Sequence, residues 1–286
     1  MTAEPMTLAA ARIGPADGRP SPRRARSHAT SSSQSEEDRI LLSGVLIDRV
    51  DVVDAATRIA AYLSSDRLHQ IVTVNLDFLQ IARADATFRQ AINEADLAVA
   101  DGMPLVWASR LVGRPLPGRV TGNSLVDESC QLSARTGAGI FLLGARPGIA
   151  DAAARTIATR YPGAVVAGAY SPSFGPLSPS DDREMVERVN RSGARILFVA
   201  LGAPRQDNWI WAHRYELDVR VALGVGCSLD VLAGSVPRAP LWMQRSGLEW
   251  LYRLGLEPRR LWRRYLIKDA PMFARLVAAS LRAAHA

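Results

Sequence analysis

Residues Ile196–Gly226 read ILFVALGAPRQDNWIWAHRYELDVRVALGVG. An unbroken apolar run, Ile196–Leu201, stops at Gly202-Ala203-Pro204-Arg205-Gln206, and a helical pattern follows over Gln206–Tyr215. A second apolar run, Val219–Val225, closes on Gly224-Val225-Gly226. Apolar runs without polar alternation belong to strands covered on both faces, and two such strands joined through a helix make a parallel pair.

The same unit repeats outward. Apolar strand candidates are Ile71–Val74, Leu97–Ala100, Ile140–Leu143 and Val165–Ala169. Helical patterns separate them at Val52–Leu63, Phe78–Ile92, Ser124–Ala134, Ile149–Tyr161 and Asp182–Asn190. The expectation is an α/β fold, with a Rossmann-like, mainly parallel sheet and helices on both faces, over residues 39–236. In such sheets ligands bind beyond the carboxyl ends of the strands. Those ends carry Thr73 and Asn75, Asp101-Gly102, Gly144–Gly148, Gly202–Gln206, and Gly224-Val225-Gly226 with Asp230. Five polar or glycine-rich ends on one sheet edge outline a site. Gly144–Gly148 runs into a helical pattern, a setting that suits phosphate, but it lacks the GxGxxG spacing of a nicotinamide-binding turn.

Net charge points to the other end of the chain. The whole sequence is +7, with 35 basic and 28 acidic residues. From Arg238 onward there are ten basic and three acidic side chains, so everything before Arg238 sums to zero. A charge confined in this way implies an anionic partner there. The segment 237–286 also leaves the strand–helix alternation. It offers apolar faces at Trp250, Leu251 and Leu254 and at Leu261, Trp262, Tyr265 and Leu266, a break at Pro258, and an amphipathic helix over Met272–Leu281. Tryptophan beside arginine suits a lipid headgroup layer, so this segment is expected to be a basic, membrane-facing helical appendage. Residues 1–38 are rich in Ser, Pro and Arg and are expected to form a disordered tail.

Two cysteines, Cys130 and Cys227, form no CxxC, and the histidines at 28, 69, 213 and 285 make no zinc pattern. A reduced, cytoplasmic setting is expected. No apolar run reaches the ~18 residues of a membrane span, and no signal peptide is evident. Cys227 reads as a buried, inert thiol, and His213 as a core or surface residue.

Several motifs in order resemble the WecG/TagA/CpsF glycosyltransferases, family 26. They are Thr73-x-Asn75, Ala100-Asp101-Gly102, Arg119-Val120-Thr121-Gly122, Gly202-x-Pro204-x-Gln206 and Gly224-Val225-Gly226 with Asp230. Arg238-Ala239-Pro240, Leu248–Leu254, Glu257-Pro258-Arg259-Arg260 and Arg264-Tyr265 complete the set. The resemblance covers about residues 40–266. It implies transfer of a sugar from a UDP-sugar to a polyprenyl-diphosphate-linked saccharide at the cytoplasmic membrane face, with inversion and without a metal. It leaves the donor sugar and the oligomeric state open, a homo-oligomer included. By resemblance Asp101 is the base. Thr73, Asn75, Gly102, Arg119 and Gln206 line the site, and Arg253, Arg260 and Arg263 (or Arg264) lie near the diphosphate. Gly144, Gly202, Gly226 and Asp230 stand on the nucleotide side.

The residues suit that chemistry. An acceptor hydroxyl must lose a proton as it attacks, and Asp101 at a strand end could take it; a helix N-cap before Pro104 is its other reading. Asp230 reads either as an acceptor for ribose or uracil or as a helix cap before Val231. No DxD motif occurs anywhere, so charge on a departing diphosphate falls to arginines and helix N-termini. The alternatives are a nicotinamide-dependent oxidoreductase, which the missing GxGxxG disfavours, and a non-enzymatic polyanion binder, which gives the polar strand ends no role. Nucleic acid is not an expected partner.

Overall fold

Apolar side chains buried at consecutive positions, on both faces, make the central strands of this chain. The computed structural model describes residues 38–172 and 178–284, apart from the side chains of Arg245, Arg260, Arg264, Ala283 and Ala284. Except for Asp38, the expected tail lies outside the described residues. The described chain opens with a hairpin, β1 (Arg39–Leu42) and β2 (Val45–Asp48), then α1 (Val52–Tyr62) and β3 (His69–Val74). There follow α2 (Leu76–Ala84), α3 (Ala86–Asn93), β4 (Leu97–Ala100), α4 (Met103–Leu111) and α5 (Gly122–Thr136). The second half runs β5 (Ile140–Gly144), α6 (Ile149–Arg160), β6 (Val166–Tyr170), α7 (Pro179–Arg191), β7 (Ile196–Ala200), α8 (Arg205–Ala212) and β8 (Val221–Gly224). Short helices α9 (Ser228–Leu232), α10 (Leu241–Arg245), α11 (Glu249–Leu256) and α12 (Pro258–Trp262) lead through a π-helical stretch, Arg263–Asp269, into α13 (Ala270–Ala284).

Among the described residues six strands form one all-parallel sheet in the order β4-β3-β8-β7-β5-β6. Register puts Leu97, Ile71, Leu223, Phe198 and Leu142 in one row across five strands. That row faces α1, α5 and α6. The intervening residues face the other way: Val72, Val74 and Ala98 pack with α2, α3 and α4, and Phe141, Leu197 and Ala222 with α7 and α8. Both faces are covered, as the unbroken apolar runs require.

Three features depart from the sequence reading. The helix expected over Phe78–Ile92 is two, because Asp85 takes an extended conformation and caps α3 by accepting the Phe88 N–H at 3.0 Å. The β1–β2 hairpin was not foreseen, and α4 was foreseen only as a helix start before Pro104. Asp48 ties the hairpin to the sheet: its buried carboxylate accepts from Arg58 at 2.9 Å, Arg39 at 3.2 Å and the Ala98 N–H at 2.8 Å. Finally, α13 is more than a surface helix. Met272 and Leu276 are fully buried in the same core as β1, β2 and α4, and Phe273 meets Trp107 edge-on at 6.1 Å. The break at Pro258 is present, with Pro258 starting α12.

Candidate active site

Every strand of a parallel sheet ends on the same edge, so β3, β4, β5, β7 and β8 deliver their carboxyl-terminal residues together. Val74 pairs with Ala100, Val199 with Gly224 and Gly144 with Ala200. Asp101 therefore follows β4 beside Asn75. It is half-buried, and its Oδ2 accepts the N–H of Gly122 at 3.4 Å, at the start of α5. Gly122 is crowded: a Cβ there would stand 3.4 Å from Ser228 Oγ and 3.9 Å from both Thr73 Oγ1 and the Val225 carbonyl. Thr73, Asp101, Gly122 and the β8–α9 turn thus converge. Asp101 does not cap α4; Gly102 holds that position with no side-chain hydrogen bond. Asn75 caps α2 instead, accepting the Phe78 N–H at 3.2 Å.

Loss of hydration lifts the Asp101 carboxyl above the usual carboxylate range. Arg119 opposes that shift, Glu249 adds to it, and Arg253 and the Gly122 N–H oppose it. These charges form a chain from core to appendage. Arg119 donates to Glu249 Oε2 at 3.2 Å and to the Gln244 carbonyl at 3.0 Å. Glu249 Oε1 lies 3.7 Å from Arg253 Nη2, and Arg253 Nη1 donates to Cys227 Sγ at 3.1 Å. Cys227 is half-buried and engaged by a guanidinium, not fully buried as expected.

The residues expected on a nucleotide side lie next along the edge. Gln206 is buried, and its Oε1 accepts the Gly226 N–H at 3.2 Å. A Cβ at Gly224 would fall 2.6 Å from Gln206 Nε2 and 2.5 Å from Asp207 Oδ1, so only glycine fits. Gly224→Ala is expected to cost about 1–3 kcal/mol by overpacking, read as a lower urea midpoint; an unchanged midpoint would contradict the packing. Asp207 is fully enclosed, and burial pushes it up to about 7. Gly144 has its own packing reason, because a Cβ would stand 2.6 Å from the Ala200 carbonyl. Gly202 begins the β7–α8 turn at φ 76°. Asp230 sits inside α9 and so does not cap it; its Oδ1 faces Arg146 at 3.4 Å. Helices α4, α6, α8 and α9 begin on this edge without a side-chain cap, leaving N–H groups for an anion.

The appendage arginines do not all gather here. Arg253 does. Arg263 is exposed, with its guanidinium 5.4 Å from the Trp262 ring centre, and the side chains of Arg260 and Arg264 lie outside the described residues. Among the described residues no group of three or more His, Cys, Asp and Glu side chains is placed to hold a metal ion.

Comparison with known proteins decides the family. Residues 40–286 match the glycosyl transferase WecG/TagA/CpsF family. The chain belongs to this family. Relatives of the WecG/TagA/CpsF chain include proteins of Staphylococcus aureus strains MRSA252, NCTC 8325 / PS 47 and COL. Each is named N-acetylglucosaminyldiphosphoundecaprenol N-acetyl-beta-D-mannosaminyltransferase. Each is 29% identical over 255 residues, covering 88% of this chain and 97% of the relative. This WecG/TagA/CpsF member is therefore a glycosyltransferase. Ser228, beside Gly122, and Glu249, paired with Arg119 and Arg253, are site residues to which sequence reasoning gave no role. The signal for Glu249 was present: it is one of three acids among ten bases after Arg238.

Proposed function

We propose that this enzyme transfers a sugar from a UDP-sugar to a polyprenyl-diphosphate-linked saccharide, with inversion and without a metal, at the inner face of the plasma membrane. The observation that carries the reading is the convergence, at the carboxyl edge of the sheet, of the Asp101 carboxylate held on the Gly122 N–H with the Arg119–Glu249–Arg253 chain of charges that joins core to appendage. Asp101 takes the proton of the acceptor hydroxyl as that oxygen attacks the anomeric carbon. The bond from that carbon to the diphosphate oxygen breaks on the opposite side. Arg253 and the uncapped helix starts receive the charge that grows on the diphosphate. Gln206 and Gly226 shape the nucleotide side, with Asp230 as acceptor for ribose or uracil. Inversion agrees with the β linkage in the relatives' names, since nucleotide sugars of this kind are α-linked. UDP-N-acetylmannosamine is accordingly the first donor to test, with N-acetylglucosaminyldiphosphoundecaprenol as acceptor.

No helix among the described residues is long and apolar enough to cross a membrane. The segment after Arg238 instead exposes Leu241, Trp242, Leu266 and Ile267, each more than half open, beside exposed Arg263 and Lys268. That combination suits insertion at a lipid interface. Removing the whole segment would strip Met272 and Leu276 from the core, so point changes are the cleaner probe. Trp242→Ser with Leu266→Ser is expected to weaken sedimentation with anionic vesicles by about tenfold or more; undiminished binding would refute the membrane role.

The deciding experiment incubates the purified chain with UDP-sugars and the lipid-linked acceptor, with and without chelator. Thermal shifts with UDP, NAD and duplex DNA run beside it. Product formation in chelator and stabilisation by UDP alone are expected. Stabilisation by NAD alone, or turnover that needs a divalent cation, would overturn the reading.

A further inference from the structure

Asp207 is the buried carboxyl for which the proposed chemistry has no use. It lies in the first turn of α8, one residue after Gln206, and is fully enclosed. Among the described residues neither of its carboxyl oxygens has a hydrogen-bond partner, an arrangement that protein interiors rarely leave without a reason. Its place is fixed on two sides. Gln70 Nε2, from β3, donates to the Asp207 carbonyl at 3.0 Å. From the other side β8 comes so close that a Cβ on Gly224 would stand 2.5 Å from Asp207 Oδ1 and 2.6 Å from Gln206 Nε2. The carboxyl oxygen and the amide nitrogen therefore share the small space over the Gly224 Cα. The other end of the same amide, Gln206 Oε1, accepts the Gly226 N–H at 3.2 Å.

We propose that Asp207 is a positioning residue: its carboxyl sets which way the Gln206 amide faces, and through that amide holds or releases the Gly226 N–H in the β8–α9 turn. That this turn belongs to a nucleotide side rests on the proposed function. The reasoning is one of donors and acceptors. An ionised carboxylate only accepts, so it draws the amide NH2 and leaves Oε1 for Gly226, which is the orientation in the structure. A protonated carboxyl has an O–H to place, and the amide oxygen is the acceptor beside it. Turning the amide to meet that O–H sets its NH2 against the Gly226 N–H, donor against donor, and the turn loses its tie. Burial pushes the Asp207 carboxyl up to about 7, with the Gln206 amide and Asp207's own N–H working against the rise, so both forms are populated near neutrality. Gln70 from β3, Gly224 from β8 and Gln206 from α8 surround it, and among the described residues no charged side chain acts on the carboxyl.

The test reads the turn itself, so it does not depend on turnover. The Gly226 N–H resonance is followed against pH in the full chain, with nitrogen-labelled glycine. It is expected to titrate with a midpoint of about 7 in wild type and to stay flat in Asp207→Asn, which keeps the shape of the side chain and cannot ionise. Gln206→Met, which keeps Asp207 and removes the amide, should flatten it as well, and carries the test with wild type if Asp207→Asn does not fold. UDP affinity is measured by calorimetry as the ratio of wild type to Asp207→Asn, which cancels the titration of UDP's own terminal phosphate. That ratio should fall about threefold or more from about pH 8 to about pH 6. A side chain that only fills space would shift the melting temperature and leave both profiles unmoved. A Gly226 resonance that does not titrate in wild type, or titrates equally in either variant, would overturn the inference. A titration that vanishes in the variants while the affinity ratio stays constant supports the coupling and removes this turn from the nucleotide side of the proposed function.

Discussion

Asp101→Asn is expected to lower kcat by about 100- to 10,000-fold while stabilisation by UDP stays close to wild type. The amide keeps the size of the side chain, and its oxygen still accepts the Gly122 N–H, but it takes no proton from an acceptor hydroxyl. In the proposed reading UDP engages the other half of the edge, around Gln206, Gly226 and Asp230, so its binding should persist. The pH dependence follows from the same group. A base works only when ionised, and burial lifts the Asp101 carboxyl. Turnover should therefore fall on the acid side at a pH above the ordinary carboxylate range of about 4. The linkage has a definite sign. A carboxyl whose proton affinity is raised by folding favours the folded state below its unfolded value, and that contribution is lost as pH rises through the folded value. Asp101→Asn should remove both the acid limb and this part of the pH dependence of stability. Turnover retained in the variant would exclude Asp101 as the base.

Arg253→Ala is expected to reduce kcat by about 100- to 1,000-fold, the loss typical when one preorganised donor to a developing negative charge is removed. In the free enzyme Arg253 is satisfied by Cys227 and Glu249. Burial works against its charge, while Cys227, Glu249 and Asp101 hold it firmly protonated. Such a guanidinium is preorganised by fixed partners, so it can meet a leaving diphosphate with little reorganisation. KM for the donor should change much less than kcat, because the charge grows as the bond breaks. Arg253→Lys keeps the charge but loses the planar fork, and should recover only part of the rate. A kcat for Arg253→Ala within threefold of wild type would remove it from the departure of the nucleotide.

Much of the fold was legible because burial on two faces writes itself into the chain as unbroken apolar runs. Leu97–Ala100 is the expected strand to the residue, and the other five differ only at their ends. Pairing order was not legible, since a run such as Ile71–Val74 carries no mark of its neighbours. The split at Asp85 was hidden because Phe78 and Phe88 keep helical spacing across it; only the extended backbone of Asp85, which caps α3, breaks the run. The hairpin was missed because four-residue strands are too short to show a period, and their stability comes from Asp48 reaching the backbone of β4.

The candidate site divides in the same way. Local sequence determined which chemistry the strand ends could offer: Asp101 after one strand, Gln206 after another, glycines where the backbone must turn or be approached closely. It also determined that the positive charge lies after Arg238. Tertiary structure alone decided which of these groups meet. It set Glu249 between Arg119 and Arg253, brought Cys227 to Arg253, left Arg263 on the surface over Trp262, and drew Met272 and Leu276 of α13 into the core of the sheet. The reason is physical. Residue type and periodicity record what each segment must bury, whereas a salt bridge spanning 130 residues depends on where packing brings the two segments together, and no local pattern carries that information.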